Sequence, residues 1–388
     1  MYAMSHVAIH DALNSIDRRA QEYAFRASPP RPTASPPAAV AAAARYVLVP
    51  VLQDLPDIFP PECVAAGVAV VEAAYTAALA DVPDGTAKDD GIALGQASAD
   101  AILALRADDG SDTLMVDPDY PEGDEPGEYR FTPGTPFAFA PGWGDVTPFV
   151  LRSSTQFGSS RPHPLNSSPY TRDFQEVKEL GGDGVVTPSA RTAEQTQIAL
   201  FWLESSPLSW NRMARSVATS EELDTWENAR LFGLLNLAMA DGYVGTFEDK
   251  YDYNFWRPVT GIQLAADDGN PDTGADPTWT PLATTPPVPD HDSGHAVEGA
   301  AAAQVLRRFF RTDDISFEVC SLTLPEGQQC DDATPVFRSF DSFSEAADEN
   351  GESRILVGFH FRHAVEDGLE HGKHIADRAV VRYLRTVP

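Results

Sequence analysis

Lysine is almost missing from this chain: 4 of 388 residues (Lys88, Lys178, Lys250 and Lys373) against 24 arginines. Acidic residues outnumber Lys and Arg 58 to 28, leaving a formal charge of -30. A surface of that sign repels nucleic acid and anionic membranes, which argues against both as partners. Scarce lysine beside abundant Asp and Glu resembles a surface adapted to high salt. A GC-rich genome, which favours arginine, gives the same ratio, and composition leaves both explanations open. Cysteine is scarce as well. Of Cys63, Cys320 and Cys330, the last two flank a Pro/Gly-containing segment and can either close a loop by a disulfide or remain free thiols. Alternating strand patterns are few, and no Gly-rich strand-turn-helix suggests a dinucleotide site. Internal repeats, a signal peptide and a transmembrane run are not evident. The chain opens inside a helical pattern, Met1 to Leu13, as expected if a segment once preceded it.

What is present reads as helix. Hydrophobic residues make up 43% of the chain, a globular proportion. Helical spacing runs over 2–17, 38–54, 60–82 (with Pro60-Pro61 in its first turn) and 87–107. Residues 108–190 are rich in Pro, Gly and aromatics without sustained periodicity, and read as a long wrapping segment pinned by Trp143, Phe149 and Phe157. Helical spacing returns over 191–206, 207–218 and 221–248, then over 294–311 and from about 362 to 384, with a second irregular loop at 265–289. The expectation is an all-α helical bundle with long irregular loops, one domain over 1–388, whose 249–388 region carries the chemistry.

Three segments of that region gather cations and imidazoles against the charge of the whole. In the first, Lys250 and Arg257 are nearly two helical turns apart, so a continuous helix would project both from one face, with Pro258 ending or kinking it. Two cations on one face repel unless an anion lies between them. The alternative, a solvated pair at a helix end, fits poorly with Tyr251, Tyr253, Phe255 and Trp256 around them. In the second, Asp292 or Ser293 suits the N-cap of the helix that follows. The first-turn amides, Gly294 among them, form a ready anion site. The Ser293 hydroxyl can add a bond, and His295 titrates in the range that acid/base work needs. In the third, Arg354 and His360 would lie about 120° apart on an ideal helix and meet only if the chain bends, for which Gly358 is the candidate. His291 and His295, with His360 and His363 downstream, also permit a zinc site, although Ser293 and Gly294 put the pair across a helix start.

The pattern Lys-x6-Arg-Pro, Ser-Gly-His, Ser-Arg-x5-His resembles the vanadium-dependent haloperoxidases and the related type 2 phosphatidic acid phosphatases and bacterial acid phosphatases. The likeness to the bacterial haloperoxidase-like branch extends through Met4-Ser5-His6-Val7-Ala8 with Asp11-Ala12, Arg191 to Gln195, Glu227 to Arg230 and Asn254 to Thr260. The resemblance implies that Lys250, Arg257 and Arg354 neutralise vanadate oxygens, with Ser293 and the Gly294 amide, that His360 binds the metal, and that His295 assists peroxide. Phosphate could occupy the same site. The implied reaction is oxidation of halide by hydrogen peroxide, with a small organic acceptor downstream. An acid phosphatase using His360 as nucleophile, or an oxyanion-binding homologue without turnover, is the alternative. Phe247 and Val288 are expected on the halide side, where their apolarity favours bromide or iodide over chloride. Two departures stand out. The acidic residue usual four positions after the last histidine is Ala364 here, with Glu366 or Asp367 as candidate replacements, and Asp292 stands where proline is common before Ser-Gly-His. Alanine-rich helical faces and the family suggest a homodimer. Peroxide and halide chemistry with a Cys320–Cys330 bridge would suit a secreted or periplasmic protein better than a cytoplasmic one.

Overall fold

The computed structural model describes residues 1–55 and 58–387, and among these the regular structure is twelve α-helices, three short 3-10 helices and two short two-stranded ribbons. The chain forms two compact units. The first comprises residues 1–111, 221–237 and the chain from 378 onward, and the second 112–220 and 238–377.

The first unit is built on α1 (Tyr2–Asn14), α2 (Pro36–Gln53), α3 (Pro61–Ala80) and α4 (Thr86–Leu105). Ser35 caps α2 by accepting from the Ala38 amide, and prolines fill its first turn, where no amide hydrogen is needed. Gly95 on α4 lies against the α2 backbone at Ala39, where a side chain would collide. The Asp11-Ala12 motif has a structural role. Asp11 is fully buried and its carboxylate accepts from the amides of Tyr23, Ala24 and Phe25, tying the chain that leaves α1 back onto it. Helix α3 departs from expectation. Its most apolar 18-residue stretch has a mean hydropathy of 1.8 and no residue of the helix is buried, so by length and composition alone it is apolar enough to cross a membrane.

The second unit holds α5 (Ser168–Leu180), α6 (Ala193–Phe201), α7 (Ser206–Ser220), the C-terminal part of α8 (Thr225–Tyr253), α9 (Pro258–Gln263), α10 (Gly294–Phe310), α11 (Phe343–Leu356) and most of α12 (Arg362–Arg382). Antiparallel ribbons β1–β2 (Val116–Asp117, Ala138–Phe139) and β3–β4 (Phe317–Cys320, Phe337–Phe340) complete it. Helix α5 corrects the reading of 108–190 as irregular throughout. Ser167 caps it, and Tyr170, Phe174 and Val177 turn inward at helical spacing. These three pack with Trp256, Trp279 and Phe361 in a core that joins α5, α9, α10, α11 and α12 beneath the cationic residues. Cys320 and Cys330 form a disulfide that closes the loop after β3.

The Lys250–Arg257 segment is not one helix. Helix α8 ends at Tyr253, Asn254 takes a left-handed conformation (φ 47°), and Arg257 is the extended N-cap of α9. Pro258 therefore opens a helix instead of ending one, since the first turn is where its missing amide hydrogen costs nothing. The bend between Arg354 and His360 falls where the sequence placed it. Helix α11 stops at Leu356, Gly358 has φ +83° and α12 starts at Arg362. The carbonyl of Arg354 accepts from the amides of Phe359 (3.0 Å) and His360 (3.3 Å), so the turn binds the two side chains into one unit.

Candidate oxyanion site

Four elements converge on the site: the last turn of α8 with Lys250, the N-cap of α9 with Arg257, the start of α10 with Ser293, Gly294 and His295, and the α11–α12 turn with Arg354 and His360. Lys250, Arg257, Ser293 and Arg354 are all 2% exposed or less, whereas Gly294 and His295 lie on the more open side. Ser293 occupies the N-cap position but makes no capping bond, and its buried hydroxyl has no partner. A buried donor left over at a helix N-terminus is what an incoming anion would satisfy.

Much of the cationic set is also held by the protein. The Lys250 ammonium donates to the carbonyls of Pro289, Asp290 and Asp292, which uses its three hydrogens. It braces the segment leading into Ser293 and contributes charge from there. Arg257 donates from Nε to the Val288 carbonyl (2.7 Å) and from Nη1 to the Phe359 carbonyl (2.9 Å) and His360 Nε2 (2.9 Å), leaving Nη2 outside these bonds. Arg354 donates from Nη2 to the Trp202 carbonyl and from Nε to Ser353 Oγ, leaving Nη1.

Electrostatics fit an anion. Burial, then the neighbouring Arg257, brings Lys250 down to about 7 and Arg354 to about 9. Burial is also the main cause lowering Arg257 itself. Both histidines sit well below the usual range. For His360 burial acts first and Arg257 next; for His295 burial is followed by Arg354. The imidazoles are therefore neutral near pH 7, each able to accept a proton or a metal through one nitrogen. Cations that depress one another in a dry site are relieved by a tetrahedral oxyanion among them.

Several residues near this site were not picked out from the sequence. His295 Nε2 faces the Glu204 carbonyl at 3.2 Å, and Asn350 Nδ2 donates to the His295 carbonyl. Asp290 brings Oδ1 to 3.0 Å from His360 Nδ1. Its only sequence signal was an acid five residues before a Ser-Gly-His histidine. Asp292, weighed as a cap, instead turns away and pairs through Oδ2 with His371 Nδ1 at 2.9 Å. Burial is the largest effect and opposes its ionisation, but the His371 hydrogen bond together with the charges of His371, His291 and Lys250 holds Asp292 below the usual carboxylate range, and the same pairing raises His371. Neither expected substitute for Ala364 reaches His360. Glu366 is exposed, and Asp367 accepts from Ser160 and faces His291 at 3.2 Å. The histidines considered for zinc are also divided: His291 and His363 approach Asp367, whereas His295 and His360 do not. Phe247 and Val288 do meet, packing with Ala140 beside Trp143 and Tyr251.

The helical bundle has the fold of the vanadium-dependent haloperoxidases, and the chain resembles those proteins in sequence as well. Residues 230–387 match the family model of the VCPO second helical-bundle domain. The vanadium chloroperoxidase of Curvularia inaequalis is 27% identical over 64% of this chain, and the chain spans about half (48%) of that relative's length. A bacterial vanadium-dependent iodoperoxidase superimposes with a TM-score of 0.77 at 24% identity, covering 99% of this chain and 90% of its own. The apo form of a bacterial vanadium-dependent chloroperoxidase gives 0.74 at 16% identity, covering 97% and 91%.

Proposed function

We propose that the protein is a vanadate-dependent haloperoxidase that oxidises halide with hydrogen peroxide. The observation that carries the reading is the buried, unpartnered Ser293 hydroxyl at a helix N-terminus, ringed by three buried cations and a neutral His360. The donor set suits vanadate: hydroxyl, amide and guanidinium hydrogens for its oxygens, and one imidazole nitrogen for the metal. Bound vanadate would supply a Lewis acid that activates peroxide towards halide.

The chain's own residues have separate parts in this reading. Arg257 and Arg354 would offer the anion the guanidinium hydrogens not used within the protein, while Lys250 holds the 289–292 backbone in place and adds charge. Ser293 and the Gly294 amide donate on the α10 side. His360 presents Nε2, which Arg257 contacts at 2.9 Å and would yield to the metal. His295, neutral and on the open side, takes a proton from incoming peroxide at its free ring nitrogen and returns it to the departing oxygen. The apolar pair Phe247 and Val288 offers no additional base and favours large, weakly hydrated halides, bromide or iodide before chloride. The Cys320–Cys330 bridge supports an oxidising compartment, secreted or periplasmic, as the setting.

The test is to load the protein with orthovanadate and follow peroxide-dependent bromination and iodination of a phenol dye, with p-nitrophenyl phosphate hydrolysis in parallel. Vanadate-dependent halogenation is expected. Phosphate ester hydrolysis without halogenation at any vanadate level would overturn the reading in favour of an acid phosphatase. The variant His295→Ala is expected to keep vanadate and lose most turnover, and unchanged turnover would remove its acid/base role.

A further inference from the structure

We propose that Asp290 is the positioning residue for His360: it accepts the Nδ1 hydrogen, fixes the imidazole as the Nδ1-protonated tautomer and leaves Nε2 as the atom that meets the oxyanion centre. Tautomer logic leads to this assignment. A guanidinium only donates, and Arg257 Nη1 lies 2.9 Å from His360 Nε2 against 3.4 Å from Nδ1, so the nearer Nε2 is assigned as the acceptor. A neutral imidazole has one N–H, which must then be on Nδ1 and needs an acceptor in a site this dry. Asp290 Oδ1, 3.0 Å away, is an acceptor of the required kind.

The surroundings leave Asp290 free for this task and leave His360 few alternatives. Both Asp290 carboxylate oxygens are buried without a well-aligned partner; the Phe361 amide lies close enough to favour the charged form, and the nearest cationic atom, Arg257 Nη1, is 3.9 Å away. At 3.0 Å the Nδ1–Oδ1 pair is close in distance but not aligned as a hydrogen bond, and the assignment has the imidazole turn to align it. The Asp290 backbone is fixed on both sides, its amide donating to the Phe255 carbonyl and its carbonyl accepting from Lys250. On the α12 side, Ala364 is buried and its side chain has no polar group, Glu366 is exposed, and Asp367 is taken by Ser160 and His291. One short segment, 289–293, therefore braces Lys250 through its carbonyls, orients His360 through Asp290 and supplies the Ser293 hydroxyl.

The consequence for binding rests on the oxyanion reading of His360, but the tautomer does not, so the experiment has two arms. In protein labelled with 15N-histidine, the ring nitrogens of His360, assigned by comparison with His360→Gln, are expected to report protonated Nδ1 and bare Nε2. In Asp290→Asn they are expected to move towards a mixture of tautomers, and Asp290→Glu should restore the wild-type pattern. In the second arm, calorimetric titration with orthovanadate and separately with phosphate should show affinity falling about 10- to 100-fold in Asp290→Asn, with a wild-type circular dichroism spectrum and recovery in Asp290→Glu. A bare Nδ1 in the wild-type protein, or unchanged ring shifts and unchanged affinity in Asp290→Asn, would overturn the proposal. If wild-type protein binds neither anion, the functional reading fails, while the first arm still decides the role of Asp290.

Discussion

Gly358→Ala adds one methyl group to the turn that joins Arg354 to His360. At φ +83°, an L-residue brings Cβ against the following carbonyl, at a cost of about 1–2 kcal/mol. The added carbon would lie 2.6 Å from the Gly181 carbonyl oxygen, 2.9 Å from Trp279 Cη2 and 3.0 Å from Pro281 Cβ. Two of these neighbours are backbone or ring atoms of a buried core, and overpacking of this kind costs roughly 1–3 kcal/mol. Alanine's smaller unfolded-state entropy returns about 0.4–1 kcal/mol. The net expectation is about 2–4 kcal/mol of lost stability in the second unit. Urea unfolding followed by tryptophan fluorescence reads it directly, because Trp202, Trp210, Trp256 and Trp279 are all buried in that unit. If the turn relaxes instead, Arg354 and His360 separate and vanadate affinity should drop by more than tenfold. A variant with wild-type unfolding and wild-type vanadate affinity would show that the left-handed turn does not set the geometry of the site.

Ser293→Ala removes a hydroxyl that has no partner, so folding stability should be unchanged or rise by up to about 1 kcal/mol. Vanadate or phosphate affinity should fall about tenfold by calorimetry, and a loss of stability without loss of affinity would mean the hydroxyl serves the fold. Glu298, on α10, is buried and pushed up to about 8, chiefly by desolvation. Because the native state keeps a proton that the unfolded chain releases above about 4.5, stability should decline as pH rises from there through about 8. Glu298→Gln should remove up to about 5 kcal/mol of that decline, and identical pH–stability curves would refute it. Reducing the Cys320–Cys330 bridge should cost about 2–3 kcal/mol through the small loop it closes; an unchanged unfolding midpoint under reductant would count against a stabilising role.

The helices were largely legible because burial imposes a 3.6-residue period on the chain. Thus α1, α2, α3, α4, α10 and α12 start and stop within a few residues of where apolar spacing and capping residues put them. Helix α5 was missed because Pro and Gly on both sides conceal its three inward residues, 170, 174 and 177. The Lys250–Arg257 pair was placed on one helix because spacing alone does not reveal that Asn254 breaks the helix and Pro258 starts another.

The site divides in the same way. Residue types and intervals were enough to select Lys250, Arg257, Ser293, Gly294, His295, Arg354 and His360, since an oxyanion demands a particular set of donors and each lies in a short local motif. What each donor touches depended on atoms brought together from segments far apart in the chain. That Lys250 spends its hydrogens on the carbonyls of 289, 290 and 292, that Asp292 turns to His371, and that Asp290 faces His360 across 70 residues are facts of tertiary structure. Sequence determined which chemistry this protein can assemble. Only the fold decided which carboxylate faces the imidazole, because direction and distance at a buried group are set by the packing of every segment around it.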